Sequence, residues 1–201
     1  MKKKKLEILL EGVNKYTNPK AFFEQYFTPA PIASDILFFA HSLGDIGGRK
    51  VADFGAGTGI FSIGACLLGG VVYAVEIDPE AVVILRKNAE KFKCDFQIVN
   101  DDVENFDMHV HVVIQNPPFG SQRKHADLPF LRKAMEVARV VYTLHNAVTA
   151  SFVEEKVEEF GGKITHKKIY KFPIPRTFRF HTRDRIYIDM VLYRISVGEF
   201  K

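Results

Sequence analysis

Two segments of this chain carry residue types whose spacing suggests chemistry. In the first, Val51-Ala-Asp-Phe-Gly-Ala-Gly-Thr-Gly59, three glycines follow a run of strand formers and precede an apolar helical pattern. Glycines at that junction let backbone approach a ligand with no Cβ in the way. A dinucleotide fingerprint needs a glycine or alanine three positions after Gly57, where Ile60 stands, and no lysine follows the loop to serve a triphosphate. Acids surround it instead. Asp53 lies two residues before Gly55, Glu76 ends the next strand pattern and Asp102 follows the third. A carboxylate at Glu76 can accept from two ribose hydroxyls, and one at Asp102 from an adenine amino group. A ligand with ribose, adenine and a positive centre suits these acids better than a pyrophosphate, and S-adenosylmethionine has those parts. The plainer reading, a structural glycine turn with helix-capping acids, weakens once the second segment is considered.

That segment is Asn116-Pro117-Pro118-Phe119-Gly120, after a fourth strand pattern. An exocyclic amine on adenine is a poor nucleophile because its lone pair is delocalised into the ring. Two acceptors aimed at its hydrogens would draw the nitrogen toward tetrahedral geometry, and the Asn116 amide oxygen with the Pro117 carbonyl can be those acceptors. Pro117 and Pro118 fix the backbone and remove donors. Phe119 offers a face on which a base can stack. Positioning and charge complementarity suffice for an in-line methyl transfer, so no general base is required. Read alone, Asn-Pro-Pro would be an ordinary turn and Phe119 a core residue.

The elements that must hold these segments follow from periodicity. Leu6, Leu9, Leu10 and Val13 mark an amphipathic helix entered through Lys2 to Lys5, and a second helix runs from Ala30 to Leu43. Val51–Phe54, Val71–Val75, Phe96–Val99 and Val110–Ile114 read as strands. Ile60–Leu68, Pro79–Phe92 and Phe130–Val137 read as the helices between and after them. Buried Val/Ile strands alternating with helices predict an α/β fold with a parallel, doubly wound sheet. Ile164–Phe172 and Ile186–Ile195 have no helix between them and should pair antiparallel at the sheet's end.

With 201 residues, 47% hydrophobic and 26% charged, the chain can bury a core without staples. Cys66 and Cys94 cannot build a disulfide framework, and lone thiols suit a reducing compartment, so a cytoplasmic location is expected. No signal peptide or membrane-spanning run is read from the sequence. The net charge of +4 is uninformative as a total, but residues 161–201 hold 10 basic and 3 acidic side chains. There Arg176, Phe178, Arg179, Phe180, His181 and Arg183 interleave guanidinium groups with aromatic faces, as binding of unpaired RNA requires. The competing reading is a hairpin tip whose Phe residues cover the core. Arg123 and Lys124, just past the Asn-Pro-Pro-Phe segment, read as part of a short lid. His109 and His111 read as edge histidines with no third metal ligand, and Tyr142 and His145 as packing residues at a helix end.

Asp53-x-Gly-x-Gly-x-Gly59 with Asn116-Pro-Pro-Phe119 resembles the Rossmann-like adenosylmethionine-dependent methyltransferases that act on conjugated amines. More narrowly, Glu24-Gln-Tyr-Phe-Thr28, Asn-Pro-Pro-Phe-Gly120 and Val141-Tyr-Thr-Leu-His145 resemble the small archaeal and eukaryotic RNA adenine-N6 methyltransferases of the small ribosomal subunit, over nearly the whole chain. The resemblance implies a seven-stranded, mostly parallel sheet with a C-terminal antiparallel hairpin, in one domain (1–201) whose N-terminal helical segment is 1–48 and whose core is 49–201. It implies that Gln25 and Thr28 contact the methionine end of the cofactor, though Thr28 could instead cap the next helix. Gly55, Gly57, Thr58 and Ile60 would form the loop, Glu76 the ribose clamp, Asp102 the adenine contact, and Asn116, Pro117 and Phe119 the catalytic platform. Glu76 stands where many relatives have Asp, and Ala56 where many have Cys. The expected activity is methylation of an adenine N6 in ribosomal RNA. Other conjugated amines (DNA adenine, guanine N2, protein glutamine) and a non-catalytic RNA-binding module are the alternatives. Eukaryotic relatives pair with a small zinc-binding activator subunit, for which the Phe96–Val99 strand, read as an edge, would be a docking place.

Overall fold

The structure is a computed structural model that describes residues 1–119, 125–175 and 185–198. Five parallel strands, β1 (Lys50–Phe54), β2 (Val71–Val75), β3 (Gln97–Val99), β4 (Val110–Gln115) and β5 (Ala138–Asn146), are followed by the antiparallel pair β6 (Gly162–Pro175) and β7 (Arg185–Val197). The sheet order is β3-β2-β1-β4-β5-β7-β6. The expected parallel sheet with an antiparallel end is therefore present, with β7 inserted between β5 and β6 and β3 on the opposite edge.

Helices α1 (Lys3–Glu11), α2 (Ala30–Ser42), α3 (Ile60–Leu67) and α4 (Pro79–Phe92) complete one side, and α5 (Leu128–Val137) and α6 (Ala150–Glu159) the other. Strand alternation divides the core between these layers. Val112, Ile114, Tyr142 and Leu144 pack with Leu6, Leu10, Ile36 and Leu37. Val113 and Val141, one residue out of phase, pack with Leu131 of α5 and Val153 and Val157 of α6. Among the described residues no helix is long and apolar enough to cross a membrane.

Three expectations are corrected. Tyr142 and His145 lie on β5, a nine-residue strand that starts directly where α5 stops, and not at a helix end. His111 is the second residue of β4, which is internal to the sheet, so it is no edge histidine. Lys3 to Lys5 are already helical, and Lys3 forms an ion pair with Asp35 of α2.

Past the carboxyl end of β5, where Asn146 faces Met190, the terminal pair continues for five more register positions, Lys171 to Pro175 against Asp189 to Arg185. This arm carries Phe172 to Phe119, with ring centroids 5.8 Å apart at 86°. Arg176, Phe178, Arg179, Phe180, His181 and Arg183, like Arg123 and Lys124, lie outside the described residues.

Candidate active site

The pairing of Phe54 with Gln115 in neighbouring strands puts Gly55 and Asn116 side by side at the carboxyl edge of the sheet. This is where ligands bind in folds of this kind. The loop from Gly55 to Gly59 is a run of left-handed turns, with φ of 66°, 57° and 96° at its three glycines. At Gly57 a Cβ would lie 2.3 Å from the Tyr16 hydroxyl, and at Gly59 another would lie 2.3 Å from Leu85 Cδ1. Both positions need glycine for conformation and for space.

Each acid around the loop is held by the protein. Buried Asp53 accepts from the Ser62 backbone N–H at 2.8 Å and from its hydroxyl at 2.5 Å, fastening the first turn of α3. Asp53 thus latches α3 to the end of β1. Burial pushes its carboxyl up to about 7, against the Ser62 bonds. Glu76 accepts from Gly57 N–H at 2.7 Å through one oxygen and from Asp78 N–H at 2.9 Å through the other, fixing its carboxylate against the loop. Burial also raises this carboxyl above its ordinary value, although those bonds oppose it. Asp102 accepts from Glu104 N–H at 2.9 Å and caps a short 3₁₀ turn beyond β3. The backbone carbonyl of Thr58 accepts from Asn88, and the Ile60 side chain lies in the core.

On the facing side, Asn116 Nδ2 donates to Thr28 Oγ1 at 3.0 Å. That orientation leaves Asn116 Oδ1 buried with no hydrogen-bond partner among the described residues. Thr28 is not the cap of α2, whose cap position is Pro29; its hydroxyl orients the asparagine. Phe119 N–H donates to Glu24 Oε2 at 2.5 Å, and its ring stacks on Tyr26 at 5.4 Å and 5°. The Glu24 to Thr28 segment thus supports the Asn-Pro-Pro-Phe turn from behind. Gln25 faces elsewhere. Its amide accepts from Lys20 N–H at 2.8 Å and donates to Asp78 at 2.7 Å, so it latches the N-terminal segment to the loop after β2. Burial would raise the Asp78 carboxyl, but bonds from Lys20 and Gln25 hold it below its usual range.

Several contributors carry no local sequence signal. Asn88 of α4 is fully buried and ties the N-terminal segment to the glycine loop: it accepts from Asn14 N–H and donates to the carbonyls of Asn14 and Thr58. This brings Tyr16 over the loop, where burial, with Glu76, Asp78 and Asp53 nearby, raises its phenol above the ordinary value. Beneath the Asn116 turn runs a buried polar chain: Gln115 Nε2 to Thr143 Oγ1 at 3.0 Å, Thr143 to His145 Nε2 at 2.8 Å, and His145 Nδ1 to Asp127 at 2.9 Å. Gln115 donates to Thr143, and the two ring nitrogens of His145 link Thr143 to Asp127. Burial would raise the Asp127 carboxyl, but the His145 bond and charge hold it below the usual carboxylate range. Gln115 Oε1, at the head of this chain, is also buried without a partner among the described residues.

A glycine cradle backed by a fixed carboxylate, with an oriented amide acceptor at the adjoining strand end, defines a Rossmann-like nucleotide-cofactor enzyme of the group-transfer class. The chain belongs to the methyltransferase small domain family, whose pattern covers residues 32–144. It is 32% identical to the rRNA N(6)-adenosine-methyltransferase METTL5 of Danio rerio, over 98% of this chain and 99% of that protein. It is also 40% identical to an uncharacterized protein of Methanocaldococcus jannaschii, over 98% of this chain and 94% of the other. It superposes on the crystal structure of a putative RNA methyltransferase from Pyrococcus horikoshii with a TM-score of 0.92 at 46% identity, covering 99% of both chains.

Proposed function

We propose that this protein methylates the N6 amino group of an adenine in ribosomal RNA, using S-adenosylmethionine. The observation that carries this reading is Asn116: its Nδ2 is committed to Thr28, so its buried Oδ1 is an acceptor held ready for an amino hydrogen. The residues present fit the cofactor. The loop has space only for glycine at Gly57 and Gly59, and Glu76 is anchored beside it as an acceptor for hydroxyls. When bound there, adenosylmethionine supplies an electrophilic methyl group on a sulfonium. The chain's own residues do the rest. Asn116 Oδ1 and the Pro117 carbonyl accept the amine's two hydrogens and aim its lone pair, while Phe119, backed by Tyr26, sets the plane on which the base stacks. The amine proton is shed after transfer, so no buried base is needed.

Incubating the protein with labelled adenosylmethionine and separate RNA, DNA and protein fractions, followed by nucleoside mass spectrometry, tests the reading. N6-methyladenosine in ribosomal RNA is expected. Label confined to protein or DNA would overturn it.

We further infer a protein partner on β3. This strand is short, lies at the sheet edge and leaves one backbone side unpaired among the described strands. A small zinc-binding activator adding a strand there would cover it. An Ile98→Pro variant, which removes a donor on the unpaired side while Gln97 and Val99 keep their bonds to β2, should then fail to co-purify with such a subunit while retaining cofactor binding; unchanged association would exclude this docking mode.

A further inference from the structure

At the opposite, amino-terminal edge of the sheet, the starts of β1, β4 and β5 converge on a cavity of about 350 Å³ lined by Arg49, Lys50, His109, His111 and Arg139. No carboxylate lines it. Arg49, Lys50 and Arg139 are exposed, and none has an ion-pair partner among the described residues. Elsewhere among the described residues Lys20, Arg132, Lys133 and Arg194 each pair with an acid. The concentration is notable because residues 1–160 hold 18 basic and 21 acidic side chains, so this cluster stands out from an acidic background. His111 reports the local field. Burial first, then Arg49 and Arg139, keep its imidazole below the ordinary value, and the opposing pull of Asp45 does not compensate.

We propose that this cavity is a second nucleic-acid contact, a pocket for backbone phosphates of the RNA substrate remote from the methyl-transfer site. The proposal rests on the reading that RNA is the substrate. Guanidinium groups on two strand starts can fork onto phosphate oxygens, Lys50 adds a point charge between them, and the imidazoles can donate to the same oxygens. The cavity is open to solvent, so a backbone phosphate can reach these side chains from outside. It is separated from the Asn116 turn by the length of β1, roughly 17 Å for five residues. An RNA that reaches both sites must therefore be folded or several nucleotides long. The pocket carries no aromatic face among its lining residues, so it serves as a register point and reads no base.

The test uses the full-length chain as wild type and as the double variants Arg49→Glu/Arg139→Glu and Arg49→Gln/Arg139→Gln. Binding of a labelled small-subunit rRNA transcript is measured by fluorescence anisotropy between 50 and 200 mM salt, and methylation of the transcript in parallel. Losing two phosphate contacts should flatten the salt dependence, shrinking the drop in affinity across that range by about tenfold. The transcript's KM should rise at constant kcat, with affinity for adenosylmethionine unchanged. The neutral Gln variant should show the same flattening if the charge-reversed protein does not fold. Unchanged affinity and salt slope in a folded variant would overturn the pocket. Tight binding of tripolyphosphate that is lost in the variants, with RNA binding intact, would assign the pocket to a free polyphosphate and overturn the RNA contact. Wild type that methylates no RNA fails at the substrate reading itself, which the variants do not probe, and takes this proposal with it.

Discussion

On the glycine-loop side of the site the acids are engaged inside the protein: Asp53 by Ser62, Glu76 by two backbone N–H groups, Asp78 by Lys20, Gln25 and Glu80. On the Asn-Pro-Pro-Phe side, two amide oxygens, those of Gln115 and Asn116, are buried with no partner among the described residues. The first half is a preorganised cradle whose hydrogen bonds exist before any ligand arrives. The second carries a polar deficit, and an unmet buried acceptor costs about 1–3 kcal/mol. A ligand amine that meets the Asn116 oxygen relieves that cost as it binds. Rigidity on one side and an open acceptor on the other fit a division between cofactor and substrate.

The strongest way to break this division is Asn116→Ala. If the open acceptor acts on the reacting amine, kcat should fall by about 10²–10³, as for loss of an oxyanion-hole donor, while cofactor affinity measured by calorimetry stays within about twofold. Equal losses in both would mean that Asn116 belongs to the cradle. Glu76→Ala is the mirror experiment. It leaves the Gly57 and Asp78 N–H groups without their carboxylate, so adenosylhomocysteine should bind about 10–100-fold more weakly, from a hydrogen bond to a charged group worth about 1.5–3 kcal/mol. With cofactor saturating, the Glu76 variant should still turn over.

How far these halves can be read from sequence differs for a physical reason. The glycines, Glu76 and Asn116 sit at the ends of strands whose Val/Ile pattern announces them, and the register of β1 against β4 then brings Gly55 to Asn116 without further information. β5 is hidden because Val137 ends α5 and Ala138 begins the strand with no Gly or Pro between, so apolar periodicity runs through the junction. α6 buries only Val153 and Val157, too narrow a stripe to stand out. Tyr16, Asn88 and Asp78 are invisible for a different cause. Asn88 meets Asn14 across 74 positions, and Asp78 meets Gln25 across 53, contacts that only the tertiary fold creates. The same separation is why the bond from Gln25 to Asp78 leaves no trace in the sequence.

The Tyr16 contact gives a sharper probe of the cradle than deletion does. Gly57→Ala should destabilise the protein twice over, through a left-handed backbone worth roughly 1–2 kcal/mol and through the clash with the Tyr16 hydroxyl 2.3 Å from the new Cβ. In a Tyr16→Phe background the next ring atom is 3.3 Å away, so the clash is relieved and the strain stays. A double-mutant cycle by chemical denaturation should therefore give a favourable coupling of about 1 kcal/mol. Strict additivity would mean that the N-terminal segment does not rest on the loop.

Titration of Asp53 tests whether the cradle's internal bonds come at an electrostatic cost. Asp53 has a folded value near 7 against an ordinary 3.8, so between those values the folded protein holds a proton that the unfolded chain has lost. Stability must then fall as pH rises across that window, and the loss is complete once both states are ionised. Asp53→Asn keeps an acceptor for the Ser62 donors and removes the charge, so its melting temperature relative to wild type should climb from pH 4 to about 7 and level off above. Taking the difference between the two proteins at each pH cancels the titration of every other group that the substitution leaves alone. A flat difference would show that the Ser62 bonds fully compensate burial, and a difference that falls with pH would show that ionised Asp53 is a stabilising anchor of α3; either would confine the stored cost to the Asn116 side.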